Sequence, residues 1–141
     1  ERGQELISSG GAQYDPFTRG DSLFFISATP NAQKKKTLAD VEKGIWKLLD
    51  ELKTTPPSAE ELERVRAQVI ADLVYSRDSI SSQATTIGML ETVGLSWKLM
   101  DSELEDLKSV TPQDIQSAAR TYFTRDRLSI AHVLPEEAAH E

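Results

Sequence analysis

The most constraining feature of this sequence is a change in the period of its apolar residues near Pro30. Before it, residues 22–29 alternate with a period of two, which is typical of a β-strand. After it, residues 37–53 place apolar side chains three or four positions apart, which is typical of a helix. A chain that makes this switch and then stays largely helical is expected to cover a sheet with helices.

Two strands are predicted at the front of the chain, at residues 6–14 and 22–29. The segment between them is rich in Asp, Pro and Gly, which favour turns, so the two strands are expected to form an antiparallel hairpin. Both faces of the second strand are apolar, and we therefore expect it to lie centrally in its sheet. Gly10 and Gly11 favour a bulge in the first strand.

Five helices are predicted to follow, and several have recognisable ends. Ser58 with Glu61 forms the pattern of a capping box, and Gly94 is suited to end a helix. Thr111 is expected to cap a helix whose third residue is Asp114. The predicted helices are residues 37–53, 58–74, 80–93, 97–108 and 111–123.

A third strand is predicted at residues 127–134, with Pro135 ending it. Residues 136–141 are expected to form a frayed tail. The predicted order is therefore β-β-α-α-α-α-α-β. This order indicates an α+β fold in which helices pack on one face of a largely antiparallel sheet.

Composition excludes several classes of function. The 141 residues suffice for one domain, and 16 basic against 23 acidic residues give a net charge of −7, so nucleic acid is an unfavourable partner. No apolar run is long enough to predict a membrane span. The absence of cysteine removes disulfides, thiolate metal sites and cysteine nucleophiles.

The only two histidines, His132 and His140, do not have the spacing of a catalytic zinc motif, which needs two imidazoles one helical turn apart. We interpret His132 as a strand residue at a sheet surface and His140 as a solvated residue of the tail. No residue is assigned a catalytic, cofactor-binding or metal-binding role.

Other polar features also fail as catalytic sites. Adjacent carboxylates on a helix point in different directions, the serines lack a nucleophile elbow, and the lysine run lacks a phosphate-binding glycine loop. These features are Glu60-Glu61, Glu105-Asp106, Glu136-Glu137, Ser8, Ser9, Ser79, Ser81, Ser82 and residues 34–36. The hairpin itself offers either ordinary core strands or an edge that pairs with an extended peptide.

Six segments follow one another in a set order, at residues 1–3, 25–30, 58–69, 94–97, 110–115 and 119–123. Together they resemble the pitrilysin/insulinase family of zinc metallopeptidases, of the bacterial processing-peptidase type, over residues 1–135. The resemblance implies the latter portion of the C-terminal, non-catalytic domain, followed by the tail at residues 136–141. It also implies that the N-terminal part of the same protein lies upstream.

In that family the zinc is held by a His-x-x-Glu-His motif of the N-terminal domain, which the resemblance places in the parent protein and not in this chain. Active members also carry an Arg and Tyr pair that assists at the substrate carbonyl. The matching stretch here runs from Arg2 to Leu6, which puts Leu6 at the Tyr position and the Arg position before Glu1. Leu6 cannot donate a hydrogen bond to an oxyanion, so the resemblance implies one subunit of a divided pair.

We therefore expect a segment that helps to enclose and bind unfolded peptides within a zinc-dependent endopeptidase. Expected partners are the N-terminal part of the protein, the peptide substrate and a homo- or heterodimeric family member, and resemblance implies a periplasmic location. An exposed strand edge and the apolar face with Phe24 and Ile26 are expected to need covering. The alternatives are a catalytically inactive scaffold or partner subunit and, disfavoured by the absence of a conventional start, a free-standing adaptor domain.

Overall fold

The computed structural model describes residues 5–134 and combines one hairpin with five helices. Strands β1 (Ile7–Tyr14) and β2 (Phe24–Pro30) are antiparallel. The helices are α1 (Leu38–Thr54), α2 (Ala59–Ser76), α3 (Ile80–Val93), α4 (Leu99–Ser109) and α5 (Pro112–Tyr122). Single 3-10 turns follow β2 and α5, at Ala32–Lys34 and Arg125–Arg127. The α+β class is confirmed, with the order β-β-α-α-α-α-α.

The register of the hairpin shows why a glycine is needed at position 10, within β1. Gly10 lies opposite Ala28 and Gly11 opposite Ser27, both in regular pairing, while the irregularity of the ladder falls between Ile7 and Ser9. A Cβ atom on Gly10 would lie 2.9 Å from the backbone oxygen of Ser27. Gly10 therefore permits a close backbone approach, and the bulge lies nearer the start of the strand than the sequence predicts.

Two sequence predictions about the sheet are wrong for the same physical reason. Within residues 5–134, β2 has β1 as its single neighbour and is an edge strand, not a central one. The predicted strand at residues 127–134 begins in a 3-10 turn and continues without ladder pairing. Apolar alternation sets only the local tendency to extend, whereas a strand also needs a neighbouring backbone. The predicted tail at residues 136–141 lies outside the described residues.

Side-chain caps define the starts of four of the five helices, α1, α2, α3 and α5. Ser58 and Ser79 accept a hydrogen bond from the amide three residues on, as does Thr111. Thr37 and Thr111 have complete capping boxes, whereas at Ser58 the Glu61 side chain does not complete the predicted box. Gly94, with φ of 86°, ends α3 in the left-handed conformation as predicted.

The buried core is small. Among the described residues, the buried apolar side chains are Val41, Trp46, Leu90 and Ala119. Trp46 is not one of the residues that form the predicted apolar stripe of α1, whereas Leu48, which is one of them, is exposed. The predicted stripe consists of Leu38, Val41, Ile45, Leu48, Leu49 and Leu52. The guanidinium carbon of Arg125 lies 4.3 Å from the Trp46 ring centroid. Trp46 is therefore shielded in part by a cation, in the geometry of a cation–π contact.

Arginines from distant segments bind near the ends of three helices. Arg120 donates to the carbonyl of Lys53 near the end of α1, at 2.6 Å, and Arg19 to Thr92 near the end of α3, at 2.9 Å. Arg66 donates to Leu107 at the end of α4, at 3.2 Å. The last carbonyls of a helix have no intrahelical partner and carry partial negative charge, so a cationic donor stabilises them.

Candidate functional site

The described chain does not assemble the donors of a catalytic metal site. The Nε2 of His132 lies 3.9 Å from an Oε2 of Glu42, and both side chains are partly exposed. No group of three or more His, Asp or Glu residues that could hold a metal ion occurs within residues 5–134. One imidazole beside one carboxylate does not fit a catalytic zinc, and His140 lies outside the described residues.

Leu6 lies where the start of the hairpin packs against α1. Its carbonyl accepts a hydrogen bond from the amide of Asn31 at 3.0 Å, just beyond the end of β2. Its Cδ1 lies 2.8 Å from the position that a Cβ on Gly44 would take. Leu6 thus connects the hairpin to α1 through an apolar contact and offers no side-chain donor, while Arg2 lies outside the described residues.

The other polar candidates have local structural partners or positions. Glu105 pairs with Lys108 at 2.8 Å, and Ser79 caps α3. The Ser8 hydroxyl donates to the carbonyl of Thr29 across the hairpin at 3.4 Å. Glu60 lies in the first turn of α2, where negative charge is favoured. Among residues 5–134, none of these groups forms a nucleophile and base pair, and Glu136-Glu137 lies outside that range.

The strongest candidate for binding is the edge of β1. Seven of its eight residues are exposed, and its sequence has no charged residue and no proline. Within residues 5–134 it pairs with β2 alone, so alternate residues direct amide and carbonyl groups outward. Nothing lies within 4 Å of a Cβ placed on Gly11. This edge lacks the charges and prolines that commonly block strand pairing.

A groove of about 590 Å³ adjoins one end of the hairpin. It is lined by the start of β1, the end of β2 and the following turn, including Ile7, Ser8, Thr29 and Pro30. Because the groove lies at the ends of both strands, a peptide paired with the edge has space beside it for a side chain.

The two faces of the hairpin differ in packing. The rings of Phe24 and Phe123 have centroids 4.8 Å apart, and Ile26 is half-buried. The face with Phe24 and Ile26 is therefore only partly covered, and Phe24 itself remains 46% exposed. Leu23 is 82% exposed and Phe25 is 59% exposed. These two residues are the most exposed large apolar side chains of the hairpin.

None of the helices described between residues 5 and 134 has both the length and the hydropathy needed to cross a membrane.

Sequence reasoning missed one further feature, an apolar groove between α2 and α4. The groove brings together three separate segments of the chain, and local periodicity does not report such distant contacts.

Comparison with known proteins identifies relatives of this arrangement. The family described as the peptidase M16 inactive domain matches residues 2–69, and no curated protein matches the chain. A candidate zinc protease from Bordetella pertussis Tohama I is 19% identical with a TM-score of 0.78, over 94% of this chain and 72% of that chain. A protease from Helicobacter pylori is 19% identical with a TM-score of 0.75, over 88% of this chain and 29% of that chain.

The inactive peptidase domain of a candidate zinc protease from Bordetella parapertussis is also similar. It is 19% identical with a TM-score of 0.69, over 97% of this chain and 73% of that chain. At this identity the three structures show a shared fold. The chain also spans less than one third of the Helicobacter pylori protein.

Proposed function

We propose that this chain, whose residues 2–69 match the family described as the peptidase M16 inactive domain, is a non-catalytic C-terminal segment of a zinc-dependent endopeptidase subunit of the pitrilysin/insulinase family. It contributes to the wall of the substrate chamber and binds unfolded peptide. The N-terminal part of the same protein, or a family partner, supplies the zinc. The observation that carries this proposal is the exposed, uncharged edge of β1.

Strand addition suits a segment that receives many peptide sequences. The backbone of an extended peptide supplies the hydrogen bonds whatever its side chains, so the edge discriminates little between substrates. β1 has eight residues, of which about half direct their amide and carbonyl groups outward. Each hydrogen bond contributes only about 0.5–1.5 kcal/mol net, and ordering the peptide offsets part of it. Binding is therefore weak and reversible, as release of cleaved peptides requires.

The chemistry of bond cleavage is assigned to groups outside residues 5–134. Leu6 offers no donor to a developing oxyanion, and the His132 and Glu42 pair does not supply a zinc site. A zinc ion in the parent protein would activate water for attack on the peptide carbonyl. As part of the same proposal, the parent protein is periplasmic, and fractionation of cells expressing the untagged protein is the test.

Amide hydrogen exchange tests the proposed binding mode. The probe is a 12-residue peptide of Val, Thr and Ser, and its control is the same peptide N-methylated at alternate residues, which removes the donors of one edge. We expect the unmodified peptide to slow exchange within Ile7–Tyr14 and the methylated peptide to have no effect. Absence of protection in β1 at millimolar peptide, or equal protection by both peptides, would refute backbone pairing.

The second candidate function is a catalytically inactive scaffold or partner subunit. The family description as an inactive domain favours it, since such a domain serves assembly equally well. Zinc content and peptidase activity of the full-length protein discriminate between the two. Stoichiometric zinc with chelator-sensitive cleavage supports the endopeptidase, whereas a zinc-free, inactive full-length protein supports the scaffold.

A further inference from the structure

The apolar groove between α2 and α4 has a volume of about 350 Å³, within the range of pockets that hold small ligands or single side chains. Val69 and Leu73 of α2 form one wall, Leu107 of α4 forms another, and Phe17 of the β1–β2 loop also lines the groove. Val69 remains 43% exposed although it is an apolar residue within α2. The groove is thus an apolar surface that the described chain leaves partly uncovered.

Contacts at both ends of α4 hold the groove open. Arg66 of α2 donates to the carbonyls of Leu107 and Val110 at the end of α4. Arg77, just after α2, donates to the carbonyl of Met100 near the start of α4. These contacts fix the separation of the two helices at two points. A preformed groove loses less conformational entropy on binding than a flexible one.

The loop that carries Phe17 is also anchored. The Phe17 amide donates to a carboxylate oxygen of Asp15 at 2.9 Å. Arg19 donates to the carbonyl of Thr92 at 2.9 Å, which ties the loop to α3. The third side of the groove is therefore held by local and long-range hydrogen bonds.

Two carboxylates give the groove a charge preference. Glu103 and Asp106 of α4 both line it, three residues apart and therefore on the same helix face. Glu105 on the same helix pairs with Lys108, but within residues 5–134 neither the Glu103 carboxylate nor the Asp106 carboxylate makes an ion pair or a hydrogen bond. A cation beside the apolar wall would relieve the repulsion between these like charges.

We infer that this groove binds a peptide segment carrying one aliphatic or aromatic side chain and a Lys or Arg three or four residues away. The apolar side chain occupies the space between Val69, Leu73 and Phe17, and the cation lies beside Glu103 and Asp106. The inference rests on the proposed function only for the class of ligand, a peptide. The groove and the β1 edge use different residues.

Fluorescence anisotropy with a labelled Gly-Ser peptide tests the inference. The probe carries one Leu followed three and four residues later by Arg, and two control peptides replace Leu by Ser or both Arg by Gln. The protein variant is Glu103→Gln/Asp106→Asn. Its matched control is Asp101→Asn/Glu105→Gln, which removes the same charge from α4 outside the groove. Circular dichroism checks that helicity is equal.

We expect the groove variant to weaken binding of the Arg peptide about fivefold and the control variant to weaken it less than twofold, because charge in contact acts more strongly than net charge. The Gln peptide should bind the wild-type chain more weakly and respond little to either variant. Equal losses for both variants, equal binding of Arg and Gln peptides, or no binding at millimolar concentration would each overturn the inference.

The test separates this inference from the proposed function. If an extended peptide protects the β1 amides while Glu103→Gln/Asp106→Asn does not change the affinity for the Arg peptide, strand addition is supported and peptide binding in the groove is refuted. If the variant weakens binding of the Arg peptide but no peptide protects the β1 amides, strand addition is refuted and binding in the groove is supported.

Discussion

The Nε of Arg66 donates a hydrogen bond to the carbonyl oxygen of Leu107 at 3.2 Å, across 41 positions of sequence. A terminal nitrogen of the same guanidinium donates to the carbonyl of Val110 at 2.5 Å, and the other pairs with Glu63. One side chain thus binds two carbonyls at the end of α4 from the middle of α2. The planar guanidinium offers several donors in a fixed arrangement, which lysine lacks.

Substitution of Arg66 is expected to destabilise the chain. Arg66→Ala should lower the free energy of unfolding by about 2–3 kcal/mol, because two partly buried carbonyls lose a charged donor. Arg66→Lys should lose about 1–2 kcal/mol, since the charge remains but only one carbonyl can be bound at a time. Urea unfolding followed by circular dichroism measures both. Arg64→Ala, at an exposed position of α2, is the control, and an equal loss there would contradict the prediction.

The neighbouring glycines of β1 should respond to alanine in opposite ways. Gly10→Ala is expected to destabilise by about 1–3 kcal/mol, because its Cβ would lie 2.9 Å from the backbone oxygen of Ser27. Gly11→Ala meets open space and should be neutral or stabilising by up to about 1 kcal/mol, since it restricts the unfolded chain. The same unfolding measurement tests both. A larger loss at Gly11 than at Gly10 would show that the register of the hairpin is wrong.

Acid should weaken the start of α5. The hydroxyl of Thr111 and then its amide, both bonded to the Asp114 carboxylate, hold the pKa of Asp114 below its ordinary value of about 3.9. A lowered pKa in the folded state stabilises the fold above that ordinary value, and this contribution is lost as the pH falls through the folded pKa. Asp114→Asn should therefore be less stable than wild type near pH 7, and the difference should shrink in acid.

The measurement is the free energy of unfolding from pH 2 to pH 7 for wild type and Asp114→Asn. Asp101→Asn is the control, because Asp101 lies in the first turn of α4 but Lys98 makes no side-chain cap there. A stability difference for Asp114→Asn that stays constant over the whole range would exclude the carboxylate as its source.

The sequence predicts those features of the fold that depend on interactions between residues a few positions apart. The start at Thr111 and the end at Gly94 follow from groups a few residues apart, and both ends lie where predicted. The hairpin also follows from alternation and turn residues. The contact of Arg66 with Leu107 has no local signature, because the exposed Arg64 and the capping Arg66 look alike in the sequence.

Burial and the candidate sites are less predictable than the helix ends. Trp46 is buried and contacts a cation from beyond α5, and the apolar spacing of α1 predicts neither. The open β1 edge follows partly from its uncharged sequence, but whether a neighbour covers it depends on tertiary pairing. The groove with Glu103 and Asp106 needs the separation of two helices, which periodicity does not give.

The 141-residue chain is expected to associate with itself when purified alone. Its accessible surface is 11387 Å², against about 7300 Å² for a folded monomer of this size. Leu23 is 82% exposed and Phe25 is 59% exposed, beside the unpaired strand edges of residues 5–134. Exposed apolar residues next to free edges favour association between copies.

Light scattering over a dilution series measures this association, and we expect the mean mass to fall on dilution. Leu23→Ser/Phe25→Thr should raise the dissociation constant of self-association about tenfold. In this variant two large apolar side chains are missing, so their burial no longer stabilises the interface. Ile80→Ser removes a side chain that is 85% exposed at the start of α3, outside the two strands, and should change the dissociation constant less than twofold. A strictly monomeric chain that unfolds cooperatively and binds no hydrophobic dye would refute the prediction, since the open hairpin would then have no tendency to be covered.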